Sequence, residues 1–443
     1  MPRPVFQISP RVVLVAAVLA LAACAQSKVT TPQAETQPAP AAPAPAPVAE
    51  APAPAPARAT ETDVIRIGLA VPLTGPAAAV GQDLVDAAQM AIFDFKPPKF
   101  EMRIYDTGGN PDVAASAAAR ARDEGVQLML GPLLADAVAA ASDVLRPAGI
   151  PVYAFSSDAQ VRGNGTYVSG FVPEAQIARV VDFAARRGMV QFASLVPDDS
   201  YGNRMHIAYS DAVVDAGGQL VATEFYPLEI EGMTQSVRSL ARYDERAAAL
   251  KREKARLSGS GDPASKRALE RLETLDTFGD AGFEAVMVPE GGTRVLQLAP
   301  LLAFYDVDPA EVKLLGTWIW DDPALGKEPS MVGAWFAAPP RDSRARFNNK
   351  FRESYGRLPN RLATLAYDGV ALAAVLAQTA QPGEAPYASA RLEGADGFSG
   401  VDGIFRLHAN GEVERGLSVL EIRRDGAVQI DPAPAAFTSP LVN

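Results

Sequence analysis

The chain has one cysteine and two histidines in 443 residues, so an internal disulfide is excluded and the usual Cys/His zinc sites cannot be assembled. It is also short of positive charge: the formal net charge is -11, which gives no general attraction to nucleic acid. Ser-x-x-Lys, Gly-x-Ser-x-Gly, His-Glu-x-x-His and a phosphate-binding P-loop are all absent. What remains for catalysis is carboxylates, such as Asp198-Asp199 and Asp321-Asp322, and adjacent loop acids more commonly cap helices than hydrolyse glycosides. His206 falls inside a predicted helix and His408 beside a predicted strand, both readable as packing or surface residues. The expectation is a protein that is not an enzyme and uses neither metal nor cofactor.

The N-terminal sixty residues are built differently from the rest. Arg3 and Arg11 bracket a basic start, and Val12 to Leu21 is an apolar run too short to span a bilayer, as in an export signal. It ends in Leu21-Ala22-Ala23-Cys24, which resembles the lipobox of bacterial lipoproteins. That resemblance implies cleavage before Cys24 and acylation of its thiol, several acyl chains giving stable membrane residence where one is marginal. Ala25, with no Asp after the cysteine, implies outer-membrane sorting, with the anchor in the inner leaflet and the body in the periplasm. Thr31 to Ala57 is almost wholly Pro and Ala, a composition that cannot bury a core and favours extended polyproline II. At about 3.1 Å per residue, the roughly 38 residues between Cys24 and Asp63 have a reach on the order of 100 Å.

From Asp63 short apolar runs alternate with helical periods. Strands are predicted at 64–71, 100–105, 127–130 and 151–155, with helices at 83–95, 112–124 and 135–146 between them. A second set follows, with helices at 174–187, 201–216 and 293–304 and strands at 192–196, 219–225, 285–288 and 313–316. Helices at 343–355 and 362–378 come next, then an antiparallel pair, 403–407 and 417–424, turned at Asn410-Gly411. The reading is α/β: two doubly wound Rossmann-like lobes with a hinge, and a ligand crevice between them. Expected bounds are a signal at 1–23, the lipidated linker at 24–62, the body at 63–431 and a tail at 432–443. Lobe one takes about 63–171 plus 341–400, and lobe two about 172–340 plus 401–431.

Ile67 to Gly81 (IGLAVPLTGPAAAVG), Asp198 to Gly202 (DDSYG), Ala366 to Val370 (AYDGV) and Phe398 to Gly403 (FSGVDG) together resemble the type I periplasmic binding proteins of the leucine/isoleucine/valine group. That family holds an amino-acid carboxylate with hydroxyls and N–H groups of the first lobe and the ammonium with an acid. The resemblance makes Thr74, Gly75, Ser156 and Ser157 candidates for the carboxylate, and Glu290 and Asp321 candidate acids. Tyr201 and Trp318 are further candidate lining residues, Trp318 and Trp320 being placed at the crevice rim. Loop capping is the alternative reading of Thr74, Ser156 and Ser157. Where the amino-acid binders place Ser after the third strand, this chain has Ala135 beside Asp136, a methyl group and a negative charge that oppose a bound carboxylate.

Between Thr234 and Phe283 two charged helical stretches, 242–257 and 265–275, flank Ser258 to Pro263 and read as an inserted hairpin. Its opposite charges at i, i+4 spacing suit a solvated face, or else a projection that meets a partner. The lipobox, spacer, Gly131-Pro132-Leu133-Leu134, this insert and Phe283 to Gly292 resemble the penicillin-binding protein activators, outer-membrane lipoproteins of the same fold. This implies a partner that is a peptidoglycan synthase; the helical repeats that mediate such contact in the best-known members are missing here. The alternative is a substrate-binding lipoprotein that serves an ABC permease for branched-chain amino acids or a similar polar solute.

Overall fold

The computed structural model describes residues 64–260 and 262–437. The expected export signal, Cys24, the expected spacer and residues 438–443 lie outside the described residues. Among the described residues no helix is long and apolar enough to cross a membrane.

The first lobe runs β1 (Ile65–Val71), α1 (Ala78–Phe95), β2 (Phe100–Asp106), α2 (Pro111–Asp123), β3 (Leu128–Leu130), α3 (Ala135–Leu145), β4 (Val152–Ala154) and β5 (Thr166–Val168). Its five strands form a parallel sheet in the order β2-β1-β3-β4-β5. Alternation along β1 explains the two covered faces. Ile67, Leu69 and Val71 point into one cluster with Leu84, Val85 and Ala88 of α1, while Ala70 joins Ala117, Ala121 and Val138 of α2 and α3 on the other side. Helix α2 starts where the sequence says it should: Asn110 accepts from the N–H groups of Asp112 and Val113, with Pro111 at the first helical position.

The second lobe runs α4 (Pro173–Arg186), β6 (Gln191–Pro197), α5 (Ser200–Asp215), β7 (Gln219–Tyr226), α6 (Ile230–Leu240), α7 (Tyr243–Ser260), α8 (Pro263–Leu272), β8 (Ala285–Met287), α9 (Gly292–Phe304), β9 (Lys313–Gly316) and β10 (Trp335–Ala338). The chain then returns to the first lobe through α10 (Asp342–Tyr355), α11 (Ala363–Thr379), α12 (Ser389–Leu392), β11 (Phe398–Gly400), β12 (Gly403–Leu407) and β13 (Val413–Arg415). It ends on the second lobe with β14 (Ser418–Arg423) and β15 (Gly426–Asp431). The second sheet has seven strands in the order β15-β14-β10-β9-β8-β6-β7, with β10, β14 and β15 joined antiparallel. Here too the strand residues alternate, Leu195, Val286 and Leu314 toward α6 and α9, Val196, Met287 and Leu315 toward α4 and α5.

Two differences from expectation concern the end of the chain. Strand 403–407 does not pair with 417–424; the Asn410-Gly411 turn joins it to Val413–Arg415, and Ser418–Arg423 pairs with β10 and β15. Phe405, Leu407 and Val413 are buried in the first lobe's core, the Phe405 ring 6.3 Å from that of Tyr153. The first lobe therefore extends beyond residue 400 to about 415, because these side chains complete its core. The chain changes lobes at three places, near Phe171, Pro339 and Gly416. Strands β5, β10, β11, β13 and β15 have no counterpart among the predicted strands.

The lobes share a local device. In each, the first strand ends in Val-Pro, at Val71-Pro72 and at Val196-Pro197, and the following helix lays a glycine on that proline's carbonyl. A Cβ on Gly81 would stand 1.8 Å from the Pro72 oxygen, and one on Gly202 1.8 Å from the Pro197 oxygen. Each helix start is thereby pressed against its strand end. Gly202→Ala should displace the start of α5 and lower stability by about 1–3 kcal/mol, read by chemical denaturation, with Gly217→Ala rather than a packed site as the strain-only comparison.

Candidate functional site

The loops that follow β1, β3 and β4 in the first lobe and β6, β8 and β9 in the second bear most of the residues singled out from the sequence. On the first-lobe side, Asp106 organises the loop after β1. Its carboxylate accepts from the N–H groups of Leu73 (2.8 Å) and Gly108 (2.7 Å), and from the Thr74 hydroxyl (2.8 Å). Burial pulls this carboxyl up, but these donors outweigh it and hold it below the usual carboxylate range. The Thr74 proton is thus committed to Asp106. Ser156 is buried and its oxygen accepts from the Asp158 N–H at 3.1 Å, an Asx-like loop bond, whereas Ser157 is exposed. Ala135 and Asp136 open α3, and the exposed Asp136 carboxylate lies in the first turn, where the helix dipole favours it.

Across from these, Tyr201 donates to the Pro289 carbonyl at 2.9 Å. Burial and the nearby Glu290 carboxylate raise its hydroxyl well above the usual phenol range, so it stays protonated. Glu290 accepts from Tyr226 at 2.7 Å, and Arg294 stands 3.8 Å away. Asp321 is flanked by Arg344 at 2.5 Å and Arg341 at 3.3 Å, its side chain nearly buried. Both acids proposed for an ammonium group are therefore already compensated within the protein. Trp318 lines the cavity between the lobes, its ring 5.2 Å from that of Phe171. Trp320 does not: it is 0% exposed in the second lobe's core, its indole N–H donating to the Glu290 carbonyl at 2.5 Å.

Two inter-lobe features had no strong sequence signal. Arg204, one turn into α5, pairs with Asp158 of the loop after β4 at 3.2 Å, so the loops bearing Tyr201 and Ser156-Ser157 are brought together. Nearer the hinge, Trp318, Asp321, Arg344, Asn348, Asn360 and Arg361 line a polar cavity of about 240 Å³. The structure thus groups Tyr201 with Glu290, and Trp318 with Asp321. Thr74, Gly75 and Ser156 lie on the opposite loops.

Arg361 sits at the junction where the chain passes between the lobes. Its guanidinium binds Asp402 at 2.7 Å and Thr364 at 3.1 Å, and it lies over Phe171 (4.2 Å) and Trp318 (5.9 Å). Arg415 covers Phe171 as well, at 5.6 Å, and donates to the Ser169 carbonyl. Next to Asp402 is Asp368, which accepts from the N–H of Val401 at 2.7 Å and sits where a Cβ on Gly400 would fall, 2.4 Å from its Oδ2. The AYDGV and FSGVDG stretches are thus two halves of one buried junction. Asp368 and Asp402 are 1% and 0% exposed, and they titrate in opposite directions. Burial and the neighbouring Asp402 charge raise Asp368; burial also acts to raise Asp402, but Arg361 and the Thr364 bond overcome it and lower the carboxyl.

Residues 64–248 match the family model described as Periplasmic binding protein. A protein of Rickettsia prowazekii described as uncharacterized is 22% identical over 177 residues, 40% of this chain and 47% of that protein. A Leu/Ile/Val-binding protein of Rhizobium johnstonii is 33% identical over 92 residues, 19% of this chain and 25% of that protein. The matched regions therefore span about half the length of the first curated relative and a quarter of the second. Among solved structures, a branched chain amino acid ABC transporter periplasmic ligand-binding protein from Burkholderia xenovorans LB400 superposes with a TM-score of 0.61 at 16% identity, over 84% of this chain and 96% of that one. The two lobes, the three crossings and this likeness define the body as having the fold of the type I periplasmic binding protein superfamily.

Arg361→Ala should leave Asp402 buried without its cation and cost about 3–5 kcal/mol, measured by denaturant unfolding. The acid limb separates the two aspartates. A carboxyl lowered on folding contributes stability that is complete above its unfolded pKa and lost as pH falls through its folded one. Asp402 has this sign and Asp368 the reverse, so Asp402→Asn should flatten the acid-side slope of stability against pH relative to the parent.

Proposed function

We propose that this chain is a non-enzymatic binding protein of the cell envelope whose lobes close on a small polar solute and present it to an ABC permease. The Arg204–Asp158 pair carries this reading: it joins the two lobes at the loops bearing Tyr201 and Ser156-Ser157, so that lobe approach and solute enclosure involve the same segments. The transporter role printed for the Burkholderia protein and the Leu/Ile/Val-binding role printed for the Rhizobium protein support it. Cys24 would carry the lipid anchor, at the periplasmic face of the outer membrane.

The solute is not a free branched-chain amino acid in this reading. Glu290 and Asp321 are compensated by internal cations, the Thr74 proton is taken by Asp106, and Ala135 and Asp136 offer a carboxylate neither a hydroxyl nor a favourable charge. The same observations favour a second reading, in which the body serves as a contact regulator of a peptidoglycan synthase and the cleft is not used for amino-acid transport.

Thermal denaturation with a panel of solutes tests the first reading, since a ligand at 100 times its dissociation constant adds about 2.7 kcal/mol. Stabilisation by a polar solute and none by leucine, isoleucine or valine is the expected pattern. No response to any solute, together with recovery of a peptidoglycan synthase and no permease from crosslinked envelopes, would establish the second reading instead.

A further inference from the structure

The hairpin of α7 and α8 is attached to the second lobe at its base and packs on itself beyond it. Arg246 pins the base by donating to the carbonyls of Ala241 (3.3 Å), Gly279 (3.0 Å) and Asp306 (3.1 Å), and the ring of Tyr243 lies 5.1 Å from that of Tyr305. Farther out, Leu250, Leu257 and Leu272 form a small cluster of their own with Ala268 and Leu269. A helix of 18 residues is about 27 Å long, so this arm presents much more surface than its few leucines bury.

Charge on the arm is unevenly used. Four of its five carboxylates are engaged locally: Asp244 with Arg238, Glu245 with Arg242, Glu253 with Arg256, and Asp262 as the cap of α8. Hydroxyl donation from Ser265 and Ser260 holds the Asp262 carboxyl well below its ordinary range. In contrast, Lys251, Arg252, Lys254, Lys266, Arg267 and Arg271 have no carboxylate within ion-pair distance among the described residues. Five of the six are exposed and Lys254 is half-buried. A chain of net charge -11 therefore carries an arm with eight basic and five acidic residues over 243–272.

We infer that this arm docks on an anionic phospholipid surface. The free cations are shared by both helices, three on α7 and three on α8. None of the large hydrophobic residues found exposed lies within 243–272, so the arm lacks the apolar and aromatic centre that a stable protein interface requires. A layer of anionic headgroups needs no such centre and rewards each cation separately, within a Debye length of the surface. The lipid anchor expected at Cys24 would keep such a surface within reach of the chain.

The test is flotation of residues 25–443, which carry neither the apolar run 12–21 nor the acylation site at Cys24, with vesicles of phosphatidylcholine alone or with phosphatidylglycerol added. Binding to the anionic vesicles only, weakened by salt, is expected. The variant Lys251→Gln/Arg252→Gln/Lys266→Gln/Arg267→Gln should bind them at least about tenfold more weakly. Its thermal unfolding should match that of the parent, since none of the four residues makes a contact the fold uses. Equal flotation with both vesicle types, no flotation, or an unchanged affinity of the quadruple variant would each overturn the inference. Preference for polyglutamate over the anionic vesicles would assign the arm to an acidic protein partner and overturn it too.

Discussion

Placing two carboxylates side by side in the interior is costly, and the architecture around Asp368 and Asp402 is organised to meet that cost. One aspartate is satisfied by the backbone N–H groups of Val401 and Asp402 and the other by Arg361 and Thr364. These bonds tie the start of α11 to the β11–β12 turn. They also fix the guanidinium that covers Phe171, where the chain first passes between lobes. Through Arg361 and Thr364 the same junction also forms part of the wall of the polar cavity.

How much of this was legible beforehand depended on how local its cause is. The alternation of helices and strands, and with it the two-lobed fold, follows from hydrophobic period and from punctuation such as Asn110-Pro111. Short strands failed: Thr166–Val168 and Trp335–Ala338 are too brief to show a period, and are strands because a neighbour supplies their partners. The hairpin was assigned the wrong second arm for a related reason. Nothing local distinguishes Val413–Arg415 from Ser418–Arg423; Tyr153 and its neighbours do, by offering Phe405, Leu407 and Val413 a place to be buried.

The crevice was less readable still. Residue type places Thr74, Glu290 and Asp321 among plausible ligand groups, but the partner that has already claimed each one is far away in sequence: Asp106, Tyr226 and Arg344. Trp318 and Trp320, two positions apart, have opposite fates because a tight helical turn aims one at the polar cavity and the other into the second lobe's core. Arg204 carried no signal of its own, since a basic residue one turn into a helix is ordinary until its partner across the gap is known.

The stacking of Arg361 on Phe171 bears on how the halves can swing. Hydrogen bonds lock the guanidinium on one side, but its face-on contacts with Phe171 and Trp318 are not directional in the same way. A ring can slide beneath a flat cation by an ångström or so while most of the attraction survives. Ion pairs also join the lobes, Arg204 with Asp158 at the loop ends and Arg344 with Asp321 beside the polar cavity, and these directional bonds, unlike the ring contact, would have to break for the lobes to part.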